Sequence, residues 1–293
     1  MPGSARRALP LCVFLAALSS SAQEARPSVA PPDPVSPAQK KNNEDSPHLT
    51  LRGLPKAVLK DQKVLWLRPF RLDREGAAWT LGLLGATAGL VLAVDRPVAQ
   101  GLAENPAGTG RAFSNQVGQF SGGLASAGVA GAFFLAGQWR NDERARATGL
   151  SAFRAMADTF IVVQALKAAT QRPRPADGAG FPNHNADGQF FTGGSAFPSG
   201  HAAQAWALAA VVAHQYGHRR WVPVAAYGLA GFLAGSRVTS RKHFPSDVLV
   251  GAALGYLIGR LVVKDSAERE RSWRVLPSPT RGGGAAVGLC WEF

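Results

Sequence analysis

Residues 236–247 read Ser-Arg-Val-Thr-Ser-Arg-Lys-His-Phe-Pro-Ser-Asp and lead straight into an apolar run at residues 248–263. Pro245 suits the first turn of a helix, where its missing N–H costs nothing. The spacing therefore puts His243 at a helix entrance and Asp247 about one turn in, on a similar face. A carboxylate so placed can accept one ring N–H and leave the other ring nitrogen free as a base or nucleophile. A lone His-x-x-x-Asp pair on a helix is more often a surface hydrogen bond, so this pair gains meaning only from what accompanies it. Pro198-Ser199-Gly200-His201 precedes another apolar run, residues 202–212. Ser199 reads as a helix N-cap, and Gly200 lets backbone N–H groups come close to a ligand. Such a helix entrance is a ready anion site. Lys167 closes the apolar stretch 160–166, and Arg174 follows after six residues within Arg172-Pro173-Arg174-Pro175, a stretch that stops the helix. With Arg237 this makes three cations, two histidines, one carboxylate and one anion cradle, an inventory suited to a phosphoryl group and its transfer.

The ordered set Lys167…Arg174-Pro175, Pro198-Ser199-Gly200-His201 and Ser236-Arg237…His243…Asp247 resembles the signature of the type 2 phosphatidic acid phosphatase and vanadium haloperoxidase superfamily. Every motif position is filled, and the resemblance covers roughly residues 77–263. It implies that Lys167, Arg174 and Arg237 bind the phosphate oxygens, with hydrogen bonds from Ser199 and the Gly200 N–H. It implies that His243 attacks phosphorus, Asp247 orients its ring, and His201 protonates the leaving oxygen. It implies no metal or other cofactor, although vanadate can occupy the same phosphate site. The implied substrate is a phosphorylated lipid, or a small phosphomonoester if the protein is a soluble acid phosphatase. A haloperoxidase and a noncatalytic envelope scaffold are the remaining readings. The chain is short for the first, and the complete motif set argues against the second. The remaining histidines, His48, His184, His214 and His218, read as bystanders, with His184 in a loop that can overhang the site. Arg172, Arg241 and Lys242 read as solvated charge beside it.

The 293 residues are enough for one domain with extensions. A net charge of +13 fits an anionic substrate or membrane surface. The basic residues are scattered through loops with no stacking platform, which argues against nucleic acid. Residues 1–22 have the form of a secretory signal: Arg6 and Arg7, an apolar core at 9–18, and Ser20-Ser21-Ala22. Its removal would take Cys12 and leave Cys290 alone, so no internal disulfide and no zinc site is expected. Residues 23–50 read as a disordered spacer. Residues 51–75 interleave apolar residues with lysines and arginines, and read either as an arm lying at a membrane surface or as one packed on the domain.

Six apolar stretches follow, at 77–94, 122–139, 149–166, 202–212, 221–236 and 248–263. In the third, Arg154 and Asp158 stand one helical turn apart and can pair. The expected fold is all-α: a bundle of about six apolar helices, membrane-embedded, with a phosphatase domain over 76–264. If all six cross, the motifs lie on the side opposite residues 23–75, which puts them in the cytoplasm. The arginines at 140, 144, 146, 219 and 220 lie at the other helix ends and point the motifs outward. Either the first helix does not cross, or the bundle is a soluble exported enzyme. Both place the site in the periplasm of the cell envelope, with no obligate protein partner. In the tail, 265–293, Gly282-Gly283-Gly284 and the alternation of Val287, Leu289, Trp291 and Phe293 predict a short β-hairpin.

Overall fold

The computed structural model describes residues 11–13, 50–104, 110–120, 122–176, 188–272, 274–279 and 285–291. The expected spacer, His48, His184 and most of the expected leader lie outside these residues. The chain divides into two compact units, one over residues 49–264 and one combining residues 1–48 with 265–293.

The larger unit is helical. Its elements are α1 (Leu54–Leu67), α2 (Arg74–Ala93), α3 (Asp95–Glu104), α4 (Arg111–Phe120), α5 (Gly123–Arg140), α6 (Glu143–Thr170), α7 (Gly200–Gln215), α8 (Trp221–Thr239) and α9 (Pro245–Ser272), the last running on past residue 264. The six expected apolar stretches are α2 and α5 to α9. The structure adds α3 and α4, short helices whose polar residues hide them from an apolar scan. In the smaller unit, β1 (Leu11–Val13), β2 (Arg274–Pro279) and β3 (Ala285–Trp291) form an antiparallel sheet in the order β1-β3-β2. Val275 faces Leu289 in the β2–β3 pair, which is the expected hairpin, although its turn lies outside the described residues.

The bundle is packed with small residues inside and large ones outside. Its main cluster is Ala130, Ala152, Ala155, Met156, Ala207, Val211, Val262 and Val263. Trp79 and Leu92 on α2, Leu124 and Trp139 on α5, Phe160 on α6, and Trp221 and Val224 on α8 all point outward. α2 buries no residue at all. Three helices, α2, α6 and the Pro245–Ser266 part of α9, are long and apolar enough to cross a membrane. α4 and α5, bent by 48° at their junction, pass the same test as a pair.

Backbone proximity sets the geometry that matters for function. Gly251, Gly255 and Gly259 recur every four residues along one face of α9. A Cβ at Gly251 would overlap the carbonyl of Ser199, one at Gly255 that of Ala203, and one at Gly259 would press on Ala207. α7 and α9 therefore touch main chain to main chain, as small-residue stripes permit. This contact brings the entrances of the two helices, with Ser199 and Asp247, side by side.

α1 settles the position of the arm. Asp61 accepts from Arg154 Nε at 2.5 Å and Nη2 at 2.7 Å, a buried bidentate pair joining α1 to α6. Gln62 Nε2 donates to Asp158 Oδ1 at 2.9 Å. Arg154 thus takes a carboxylate from another helix, where a fork-on-fork approach is possible. The arm packs on the domain through its polar side and leaves Leu59 and Trp66 exposed.

Gly255→Leu should force α7 and α9 apart and cost about 1–3 kcal/mol, the usual range for overpacking. Thermal unfolding of the detergent-purified protein would show a lowered Tm, with Gly255→Ala falling between Leu and wild type.

Candidate active site

The residues singled out in the sequence converge at one end of the bundle. α6 ends at Gln171, in a left-handed conformation (φ 46°) that turns the chain sharply inward. Residues 191–196 then run back along the turn. Thr192 N and Gly194 N donate to Gln171 O at 3.1 and 2.9 Å, and Ala196 N donates to Arg172 O at 2.7 Å. Lys167, one turn before the end of α6, donates from Nζ to Ser195 O at 2.6 Å. Ser199 caps α7, its hydroxyl accepting from Ala202 N at 3.4 Å, and its own N–H donates to Asp247 O at 2.9 Å. The Ser199 side chain thus serves the helix. At Gly200 a Cβ would meet only ordinary contacts, with Val163 and Lys167, so the protein itself leaves room for a side chain there. Arg237, near the end of α8, lies against Gly118 of α4, where a Cβ would collide with its guanidinium. Its Nε is buried with no hydrogen-bond partner.

His243 is 3% exposed. Its Nδ1 lies 2.8 Å from Ala196 O, a carbonyl that can only accept, so Nδ1 carries the proton and Nε2 is the free nitrogen. The expectation that Asp247 accepts this N–H is corrected: Asp247 Oδ2 stands 3.7 Å from Nδ1, beyond hydrogen-bond range. The reason is local. Oδ2 reaches back to accept from Phe244 N at 2.8 Å, the half of a capping box that a carboxylate at the third helical position supplies. Oδ1 takes Arg172 Nη1 at 2.6 Å. Asp247 therefore acts on the ring through its charge, and Ala196 fixes the tautomer.

Arg172 and Arg241, expected as solvated charge, are buried instead. Arg172 is fully buried. Its Nη1 donates to Ser246 Oγ at 2.7 Å as well as to Asp247, its Nη2 to Asp95 Oδ2 at 2.7 Å, and its Nε to Gly188 O at 2.8 Å. The rings of Phe244 and Phe190 lie 4.2 and 4.8 Å from its guanidinium carbon. Asp95, the first residue of α3, also accepts from Ser246 N at 3.0 Å and from the Ser246 hydroxyl. Arg241 is likewise buried and reaches Pro175 O at 3.4 Å, while Lys242 is half-buried. Asp95 and Ser246 escaped the sequence reading. The available signals were a carboxylate directly after an uncharged apolar run, and a serine inside the last motif.

The electrostatics are those of an anion site, where positive groups depress one another. Burial and the positive charges of Arg237, His243, Lys167 and Arg174 push His201 down from 6.5 to about 4. Burial also lowers His243, against the pull of the Asp247 charge. Lys167, Arg174, Gly200 and His201 are half-buried and open to a ligand, whereas Arg237, His243 and Asp247 form the floor.

Lys167, Arg172, Arg174, Ser199, His201, Arg237, His243 and Asp247 all fall within one family segment: residues 148–271 match the sequence model of the PAP2 superfamily. Over that segment the chain is similar to the PAP2 superfamily. A lipid A 1-phosphatase from Porphyromonas gingivalis is 45% identical over 71 residues, which is 24% of this chain and only 16% of that protein. Among solved structures, LpxE from Aquifex aeolicus superposes with a TM-score of 0.45 at 21% identity, over 59% of this chain and 96% of that one. A transmembrane PAP2 type phosphatidylglycerolphosphate phosphatase from Bacillus subtilis gives 0.48 at 20%, over 66% and 96%.

Arg172→Ala should leave Asp95 and Asp247 buried without their cation and cost about 3–5 kcal/mol. Asp95→Asn keeps the shape and should cost less, about 1–3 kcal/mol. Thermal melts would rank them. Diethyl pyrocarbonate, which labels accessible neutral imidazole, should label His243 faster in both variants than in wild type.

Proposed function

We propose that this protein is a metal-independent phosphatase acting on a phosphomonoester or diphosphate of a membrane lipid through a phosphohistidine intermediate. The observation that carries the reading is His243: its Nδ1–H is engaged by Ala196 O, so Nε2 is left as the nucleophile beside Lys167, Arg237 and His201. The chemistry follows from the groups present. Lys167, Arg174 and Arg237 hold the phosphoryl oxygens, and the Gly200 N–H at the entrance of α7 adds a donor. His243 Nε2 forms a bond to phosphorus as the bond to the leaving oxygen breaks. Asp247, 3.7 Å from Nδ1, offsets the charge that develops on the imidazolium. His201 gives its proton to the leaving oxygen, then takes one from the water that attacks the phosphohistidine. Inorganic phosphate leaves and both histidines return to their starting states. The three fixed cations supply the charge that a metal would otherwise bring, so the scheme uses none.

A lipid substrate is supported by the outward-facing Trp, Phe and Leu side chains around an alanine core, which a membrane solvates and water does not. The relative named as a lipid A 1-phosphatase is consistent with a lipid phosphate as the substrate class. The site is assigned to the periplasmic side, since the arginine-rich loops 140–146 and 217–220 lie at the opposite helix ends.

His243→Gln should abolish phosphate release from lipid phosphomonoesters and the acid-labile phosphoryl label on the protein. His201→Ala should slow turnover by about 10²–10⁴-fold. If His243→Gln turns over at the wild-type rate, the reading is wrong. The depressed His201 also predicts a pH dependence. An anion held among these cations raises the His201 pKa from about 4, so binding takes up a proton. Inhibition by sulfate, which stays dianionic, should therefore strengthen as pH falls from about 8 to about 5, and His201→Asn should flatten the slope.

A further inference from the structure

The opposite end of the bundle holds a cleft of about 850 Å³ that the chemistry above does not use. It opens where α5 passes into α6 and where α7 passes into α8. Phe133, Val222 and Leu229 give it apolar walls, and Arg144 and Arg219 line its polar side. The Phe133 and Tyr216 rings, 5.9 Å apart, tie α5 to the end of α7 at its base. Two carboxylates also line the cleft, and both are engaged. Asp142 caps α6 by accepting from Ala145 N at 3.1 Å, and Glu143 pairs with Arg146 at 2.5 Å. Arg140, Arg144, Arg146, Arg219 and Arg220 outnumber Asp142 and Glu143 and leave this end with a net positive charge. Trp139 at the end of α5 and Trp221 at the start of α8 are 87% and 65% exposed at this same end of the bundle, and indole rings mark a membrane–water boundary. Lys167 follows Arg144 by 23 positions, about 35 Å of α6 at 1.5 Å per residue, close to the thickness of a bilayer core.

We propose that this cleft binds one anionic phospholipid of the leaflet opposite the His243 end. Its phosphate sits with Arg144 and Arg219, and an acyl chain runs along Val222 and Leu229 of α8. Charge complementarity selects the headgroup, and the apolar walls select an amphiphile over free phosphate. The proposal rests on the membrane reading above but not on hydrolysis.

The test is native mass spectrometry of the full chain in detergent, with equal amounts of dioleoyl phosphatidylglycerol and dioleoyl phosphatidylcholine. Wild type should retain phosphatidylglycerol preferentially. Arg144→Gln/Arg219→Gln should weaken that adduct about 25-fold, since each arginine near an anionic surface contributes about fivefold. Leu229→Trp, which fills the apolar wall and keeps both arginines, should expel the lipid and serves as the second variant should the arginine pair fail to fold. Lys167→Ala/Arg237→Ala should retain it. Equal retention of the two lipids, an adduct unchanged by the first two variants, or one lost only with Lys167 and Arg237, would each overturn the proposal. Because the readout needs no turnover, a protein that binds the lipid yet hydrolyses nothing would sink the phosphatase reading and leave this one standing.

Discussion

A buried guanidinium must find an acceptor for nearly every N–H, and Arg172 draws its acceptors from distant parts of the chain. Asp95 comes from the start of α3, Ser246 and Asp247 from the first turn of α9, and Gly188 from the loop before α7. Desolvating a cation costs several kcal/mol unless the geometry around it is nearly complete. That requirement fixes where α9 begins relative to the end of α6. The backbone of the same residue holds Ala196, whose carbonyl orients His243. One arginine thus sets the imidazole by two routes, through the Asp247 charge and through the Ala196 hydrogen bond.

Much of this end of the molecule was legible in the sequence because the chemistry is local. Lys167, Arg174, His201, Arg237 and His243 stand in short motifs whose spacing survives without knowledge of the fold. The apolar runs gave six of the helices directly. What could not be read was long-range pairing. Arg172 looks like any basic residue between prolines, and only the fold shows that Asp95 meets it across 77 positions. The role of Asp247 was misjudged for a different reason. Its position at the third residue of a helix invites a capping box, and that local hydrogen bond competes with the imidazole for the same oxygen. Arg154 followed the same logic, since a neighbour one turn away cannot match the bidentate grip that Asp61 offers from α1.

The packing of the bundle serves the site. Alanine and glycine along α6, α7 and α9 let the helices approach closely, so the residues at their ends are carried on stiff rods. The glycine stripe of α9 places its first turn against the first turn of α7, which is why Ser199 N can reach Asp247 O. Large side chains would have separated the helices and the two histidines with them. They are displaced to the outer surface, where a hydrocarbon surrounding tolerates them.

The Asp95–Arg172–Asp247 cluster also sets an order of events during synthesis. Asp95 precedes Arg172 by 77 positions, Asp247 follows it by 75, and the Ser246 contact with Asp95 spans 151. A ribosome delivers the first acid, then the arginine, and the second acid only after about as long again. Until α9 emerges, the arginine has half of its partners, and a chain cut short before residue 245 would carry an unfinished charge at the heart of its fold. The last helix therefore acts as a closing latch, and a truncated product would remain open to the cell's proteases.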